Sequence, residues 1–139
     1  MVILSVDLGK ARTGIAISDE GERFAFPKTV LTEYHSERLT DKVAALAAAE
    51  GAGLIVVGLP KNMDGSAGAR AKECEELAHM IAEKSGIETV LWDERLTTVS
   101  AHAALNATDT RGKKRKQVID AVAATMILED YLRFRQNQP

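Results

Sequence analysis

The chain has 139 residues, of which 45% are hydrophobic and 27% charged, and its net charge is −2. This length and balance are typical of one globular domain, so we expect a single domain over residues 1–139. No stretch approaches the ~20 apolar residues of a membrane span and no signal peptide is visible, so we expect a cytoplasmic protein without membrane contact. The single cysteine, Cys74, excludes an intrachain disulfide, and with only three scattered histidines beside it we expect no zinc site.

The chain begins with two short apolar runs, Val2–Leu8 and Gly14–Ser18, which predict a β-hairpin. Because side chains alternate along a strand, Ile3, Ser5 and Asp7 share one face of the first strand. Asp7 interrupts an apolar context, and an unpaired buried charge is costly. We therefore expect a cation beside Asp7, either a basic side chain or a metal ion.

The rest of the chain alternates between helical and strand patterns. Arg23–Val30 predicts a third strand, with Pro27 indicating an edge or an irregularity. Further on the patterns predict helices over Ser36–Glu50 (capped by Ser36), Ala69–Lys84, Thr97–Leu105 and Lys113–Arg135, and strands over Leu54–Gly58 and Ile87–Trp92. Short connections between the first three strands favour antiparallel pairing, and the helical crossovers favour parallel strands afterwards. We expect a mixed α/β sheet of five strands with helices on its faces.

Three acidic positions stand out because they interrupt apolar surroundings. Asp7 is the first, the pair Asp93 and Glu94 follows a strand, and Asp120 lies on the last helix. On a helical wheel Asp120 falls near four apolar or aromatic positions, Ala123, Ala124, Ile127 and Tyr131. Each acid alone could be a salt-bridge partner or a solvated residue. Three carboxylates at one point would repel each other unless a hard divalent cation such as Mg²⁺ or Mn²⁺ neutralised them.

Four segments carry a family resemblance: VDLGKARTGIAISD, IVVGLPKNMDGSAGARA, LWDERLTTVSA and KQVIDAVAATMILEDYL. Their order and separations resemble those of the YqgF/RuvX family, which has an RNase H-like fold and is related to the RuvC Holliday-junction resolvases. The resemblance implies Asp7, Glu94 and Asp120 as metal-binding catalytic acids. Asp93 remains an alternative to Glu94. The implied reaction is phosphodiester hydrolysis at a site of two Mg²⁺ or Mn²⁺ ions, about 3.5–4 Å apart.

Other residues in these segments and in the basic run Arg111–Lys116 are candidates for contacts with a nucleic-acid backbone. Such contacts bind with little sequence reading and depend strongly on salt. The candidate substrate-binding residues are Lys10, Arg12, Lys61, Asn62, Arg95, Arg111, Lys113, Lys114 and Lys116. Each of these residues could also have a purely structural role. Arg111–Lys116 could be a solvated run of charges, and the segment with Lys61 and Asn62 could be an ordinary turn before a helix that Ser66 caps.

The expected function is therefore a metal-dependent endonuclease acting on structured nucleic acid. The resemblance is compatible with precursor 16S rRNA, matured at its 5′ end by a monomer, and with a four-way DNA junction, cut by a homodimer. A non-catalytic RNA-binding factor of ribosome assembly is an alternative of another class. ATP binding through Asp-x-Gly is a further alternative, but proteins of that kind need two such domains.

Overall fold

The computed structural model describes residues 1–9, 11–59, 68–93 and 112–137, and within this set only the backbone of residues 112–121. The described elements, in chain order, are β1 (Val2–Asp7), β2 (Arg12–Ser18), β3 (Ala25–Thr32), α1 (Ser36–Glu50), β4 (Ala52–Leu59), α2 (Ala69–Ser85), β5 (Glu88–Asp93) and α3 (Gly112–Gln136). The helix predicted over Thr97–Leu105 lies outside the described residues.

The five strands form one sheet in the order β3-β2-β1-β4-β5. β1 pairs antiparallel with β2, and β2 antiparallel with β3, whereas β4 runs parallel to both β1 and β5. This arrangement confirms the prediction of three antiparallel strands followed by parallel ones.

The alternation along the strands divides the core between the two faces of the sheet. Leu4 and Val6 of β1 pack with residues of α1 and α2 on one face. Ile3 packs on the other face with residues of α3, including Ile127 and Leu128. The predicted division of β1 into two faces is therefore correct.

β3 forms one edge of the sheet and is irregular near Pro27. Ile15 pairs with Thr29 but the next residue, Ala16, pairs with Pro27, so Lys28 is an extra residue in β3. Pro27 lacks the N–H that a central strand would need. Both features that the proline indicated are confirmed, although β3 lies two residues later than predicted.

α1 and α2 each end at a glycine, whereas the serine cap predicted for α1 is not formed. Gly51 and Gly86 adopt left-handed φ values of 68° and 70° after α1 and α2. His35, not Ser36, is the residue that precedes the first turn of α1, and no side chain caps that end. The prediction for Ser36 was wrong because the extended backbone continues through His35, which places the serine inside the helix. Gly68, not Ser66, occupies the equivalent position before α2.

The β2–β3 connection is held by two acidic side chains. Asp19 accepts hydrogen bonds from the backbone N–H groups of Arg23 and Phe24, each at 2.9 Å, and these bonds lower the pKa of its carboxyl group. Glu22 accepts a hydrogen bond from Arg135 at the end of α3.

None of the described helices is long and apolar enough to cross a membrane.

Candidate active site

The strand directions bring Asp7, Arg12 and Asp93 to one edge of the sheet. β1, β4 and β5 are parallel, so their carboxyl ends lie along the same edge, and antiparallel β2 begins there with Arg12. Ligands of open α/β sheets bind at this type of edge. Asp7 is the last residue of β1, and Asp93 the last of β5.

Asp7 lies on the face of the sheet that α3 covers. It follows Ile3 and Ser5 at intervals of two residues, and both of these contact α3. Its partner across the β1–β2 pair is Gly14, so no side chain stands beside the Asp7 carboxylate on that strand.

The Asp7 carboxylate is partly buried. Within the described part of the chain it forms no hydrogen bond or ion pair. The cation expected beside Asp7 is therefore not a described basic side chain. A partly buried hard oxygen donor of this kind fits a divalent cation.

Ser5 fixes the position of α3 relative to β1. Its buried hydroxyl donates a 2.7 Å hydrogen bond to the backbone carbonyl of Ala124. Near the other end of α3, Arg135 contacts Glu22, which also binds the amino group of Met1. The helix therefore runs antiparallel to β1, and the residues that precede Ala124 extend toward the carboxyl edge.

This orientation sets the level of the Asp120 backbone. Asp120 precedes Ala124 by four residues, which is about 6 Å along a helix axis. Asp7 follows Ser5 by two residues, which is about 7 Å along a strand. The two backbone positions therefore lie at about the same height above the Ser5–Ala124 hydrogen bond.

The helical face predicted to point inward is buried where the structure describes its side chains. Ala124 and Ile127 are fully buried and Tyr131 is 8% exposed. Glu129 and Arg133 are exposed, and Thr125 is partly buried. The prediction of an inward face for α3 is therefore confirmed from Ala124 onward.

The turn after Asp7 is tight and is held from α2. A Cβ atom on Gly9 would collide with the backbone carbonyl of Arg12, so this position requires glycine. Arg70, in the first turn of α2, donates a 2.5 Å hydrogen bond to the carbonyl of Leu8. The strand end that carries Asp7 is thus attached to a second element of the fold.

Asp93 lies on the face of the sheet opposite to Asp7. Its partner in β4 is Leu59, which belongs to the core beneath α1 and α2. The preceding residue, Trp92, packs instead on the α3 face. There its ring contacts Tyr131 and Phe134 at centroid distances of 5.6 and 5.4 Å.

Most of the predicted site residues lie outside the described residues. The structure describes Asp7 and Arg12 in full and only the backbone of Lys113, Lys114, Lys116 and Asp120. Lys10, Lys61, Asn62, Glu94, Arg95 and Arg111 lie in the remaining segments. Among the described side chains, no three acidic, histidine or cysteine residues lie close enough together to hold a metal ion.

Sequence reasoning did not identify Ser5 and Arg70 as parts of this region. A serine within an apolar strand was a visible signal for Ser5, because a buried hydroxyl needs a hydrogen-bond partner. Arg70 gave no comparable signal, because its partner Leu8 is 62 residues away in the chain.

The fold is shared with solved structures of resolvases. Thermus thermophilus RuvC in complex with a Holliday junction substrate has a TM-score of 0.64 at 13% identity, covering 99% of this chain and 97% of that one. The fowlpox virus resolvase with Holliday junction DNA has a TM-score of 0.62 at 11% identity, covering 97% and 99%. The sheet order and the helix across its face thus define an RNase H-like fold.

The sequence comparisons identify the family. The chain belongs to the RuvX family, whose model, described as Holliday junction resolvase, matches residues 1–134. A Bacillus cytotoxicus protein that is provisionally named a pre-16S rRNA nuclease is 42% identical over 134 residues, covering 95% of this chain and 98% of the relative. The resemblance found in the sequence is confirmed, and the family places the chain among the nucleases.

Proposed function

We propose that this protein is a divalent-metal-dependent endonuclease that cleaves structured nucleic acid, with the 5′ end of precursor 16S rRNA as its leading substrate. The observation that carries the proposal is the position of Asp7. This acid ends the central strand on the face covered by α3, at the height of the Asp120 backbone. The family match and the name of the Bacillus cytotoxicus relative support a nuclease and the rRNA substrate.

Asp7, Glu94 and Asp120 are the proposed metal-binding catalytic acids. The height of the Asp120 backbone supports its pairing with Asp7. The register of β5 supports Glu94 over its neighbour, since Asp93 lies beside Leu59 on the opposite face of the sheet. An all-carboxylate ligand set suits Mg²⁺ or Mn²⁺.

Each part of the site has a distinct task in this proposal. Two bound cations would supply the activation of water and the neutralisation of the leaving 3′-oxygen. Asp7 holds the central position between Glu94 and Asp120. Arg12 begins β2 two residues from Gly14, the cross-strand partner of Asp7, and therefore emerges on the same face as that acid. We propose that Arg12 contacts a phosphate next to the cleaved bond.

The remaining basic and polar candidates belong to segments that adjoin the same edge of the sheet. Lys10 lies in the β1–β2 connection, and Lys61 and Asn62 follow β4. Arg95 follows β5, and the basic run from Arg111 leads into α3. We propose that these residues hold the nucleic-acid backbone, Lys113, Lys114 and Lys116 among them. Their contacts would make binding weaken steeply with salt.

A four-way DNA junction is the second candidate substrate. The description of the family and the structural match to two resolvases support it. Cleavage of such a junction requires two active sites, and therefore a symmetric homodimer, whereas rRNA cleavage can be carried out by a monomer.

We propose a single domain over residues 1–139, located in the cytoplasm where rRNA is matured.

The test compares the parent protein with three single variants, Asp7→Asn, Glu94→Gln and Asp93→Asn, on labelled precursor rRNA and on a labelled four-way junction. We expect Mg²⁺- or Mn²⁺-dependent cleavage by the parent protein. Asp7→Asn and Glu94→Gln should abolish cleavage but largely retain substrate binding in a gel-shift assay. Asp93→Asn is the matched control and should remain active.

Cleavage of neither substrate by the folded parent protein would refute the nuclease proposal. Binding of the RNA without cleavage would favour the non-catalytic assembly factor. Full activity of Asp7→Asn would remove that residue from the mechanism.

A further inference from the structure

We infer that Arg70 is a positioning residue that holds the Asp7–Gly9 segment in place for metal binding. This inference rests on the proposed function of Asp7. The hydrogen bonds of Arg70 go to Leu8 and Glu73 and not to Asp7, so Arg70 acts through the backbone of Leu8. The guanidinium donates one hydrogen bond to the Leu8 carbonyl at 2.5 Å and another to Glu73 at 3.0 Å.

Leu8 is the residue through which this contact restrains the acid. Its side chain is 8% exposed and belongs to the core beneath α1 and α2, while its carbonyl is held by Arg70. Asp7, immediately before it, is paired with Gly14 across the strand. The backbone of Asp7 is therefore fixed by the sheet on one side and by Leu8 on the other.

Arg70 is a cation at the amino-terminal end of α2, where its helix offers it one acidic partner, the exposed Glu73. The first turn of α2 contains no acidic residue, and no side chain caps its start at Gly68. The amino-terminal end of a helix carries a partial positive charge that favours anions and disfavours a cation. Such local conflicts are expected at functional sites, where a long-range contact offsets them. Here that contact is the charge-assisted hydrogen bond to Leu8.

The same residue also connects two parts of the proposed site. α2 begins after the segment that contains Lys61 and Asn62, and Arg70 lies in its first turn. The bond to Leu8 therefore fixes the start of α2 to the turn that follows Asp7. Some residues do not bind the metal ion but hold one of its ligands in position. Replacing such a residue lowers metal affinity or activity by about 10- to 100-fold.

Three variants separate the carbonyl bond from the ion pair. Arg70→Met removes both and keeps the length of the side chain. Glu73→Gln removes the charge of the ion-pair partner and leaves the Arg70–Leu8 bond intact. Arg133→Met is the matched control, because Arg133 forms a similar exposed ion pair with an acid three residues away, Asp130 at 3.1 Å.

Three measurements on the full chain test the inference. Hydrogen exchange of the metal-free protein follows the amides between Leu8 and Arg12, with the amides of β4 as an internal reference for intact folding. Calorimetric titration with Mn²⁺ gives the metal affinity. Cleavage kinetics give kcat and KM separately.

For Arg70→Met we expect about 10-fold faster exchange near Leu8 with unchanged exchange in β4. We also expect Mn²⁺ affinity and kcat to fall about 10-fold, with KM unchanged. Glu73→Gln and Arg133→Met should match the parent protein in all three measurements.

Unchanged exchange near Leu8 in Arg70→Met would overturn the inference, as would equal losses in Glu73→Gln or faster exchange throughout β4. A higher KM with unchanged Mn²⁺ affinity would also overturn it, because Arg70 would then bind substrate directly. A parent protein that cleaves neither nucleic acid would refute the proposed function instead. The exchange and Mn²⁺ measurements would still decide the role of Arg70.

Discussion

The hydrogen bond between Ser5 and Ala124 yields a prediction that separates stability from activity. Ser5 is fully buried, and its hydroxyl donates to the Ala124 carbonyl at 2.7 Å. In Ser5→Ala this carbonyl keeps its bond within the helix, so the free energy of unfolding should fall by only about 1 kcal/mol. The lost contact is nevertheless the one that sets α3 against β1. A misplacement of 1 Å can cost about 100-fold in rate, so we expect kcat to fall at least about 10-fold.

Ser18→Ala is the matched control for this prediction. Ser18 is also buried, but its hydroxyl accepts a 2.8 Å hydrogen bond from the Ile3 N–H and donates one to the Asp19 carbonyl, so these two bonds join β1 to the end of β2 and do not involve α3. Its removal takes away the acceptor of a buried N–H, which costs about 1–3 kcal/mol. Ser18→Ala should therefore be at least as destabilised as Ser5→Ala and yet retain kcat.

Urea unfolding at pH 7 gives the two stabilities, and cleavage at saturating Mn²⁺ well below the unfolding midpoint gives kcat. The expected result is that the order of the variants in stability is the reverse of their order in activity. Equal kcat in both variants would refute the reasoning that the Ser5–Ala124 contact sets the height of Asp120. A larger loss of activity in Ser18→Ala would refute it as well.

Two further predictions concern charge and the tight turn. The hydrogen bond from Arg135 lowers the pKa of Glu22 from its usual 4.5, so this contact stabilises the fold at neutral pH and is lost as the pH falls below that value. Glu22→Gln should lower the free energy of unfolding by up to about 1 kcal/mol at pH 7 and leave it unchanged near pH 2. Urea unfolding at both pH values measures this difference, and an equal loss at the two pH values would contradict the charge argument. Gly9→Ala would bring a Cβ atom against the carbonyl of Arg12. We therefore expect the free energy of unfolding, followed by thermal unfolding, to fall by about 1–3 kcal/mol, and Mn²⁺ binding to weaken. A Gly9→Ala protein with unchanged melting temperature would show that the turn can move freely.

Much of the fold could be predicted from the sequence because its strands carry clear local signals. The alternating pattern of β1 and the apolar run of β4 predict strands without any knowledge of the neighbouring strands. Gly51 and Gly86 mark the ends of two helices. The start of β3 was displaced by two residues. Arg23 and Phe24 belong to the β2–β3 connection, where their N–H groups bind the Asp19 carboxylate.

The candidate site was predictable only in its residue types. Asp7 and Asp120 were visible because they interrupt apolar patterns, but their relative height depends on how α3 docks on the sheet. That docking is set by the contact between Ser5 and Ala124, which are 119 residues apart. The contact between Arg70 and Leu8 is also long-range. Contacts of this kind leave no periodic pattern in the sequence, so local reasoning does not reveal them.

The irregular course of β3 bears on how copies of this protein behave when they are crowded together. An outer strand normally offers a row of free N–H and C=O groups to which another chain can add, the first step toward fibrils. Here Pro27 interrupts that row, and the bulge at Lys28 bends it. The Lys28 ammonium, 2.6 Å from Glu50, adds a fixed charge beside the bend. This side of the sheet therefore resists strand addition without an extra helix to cover it.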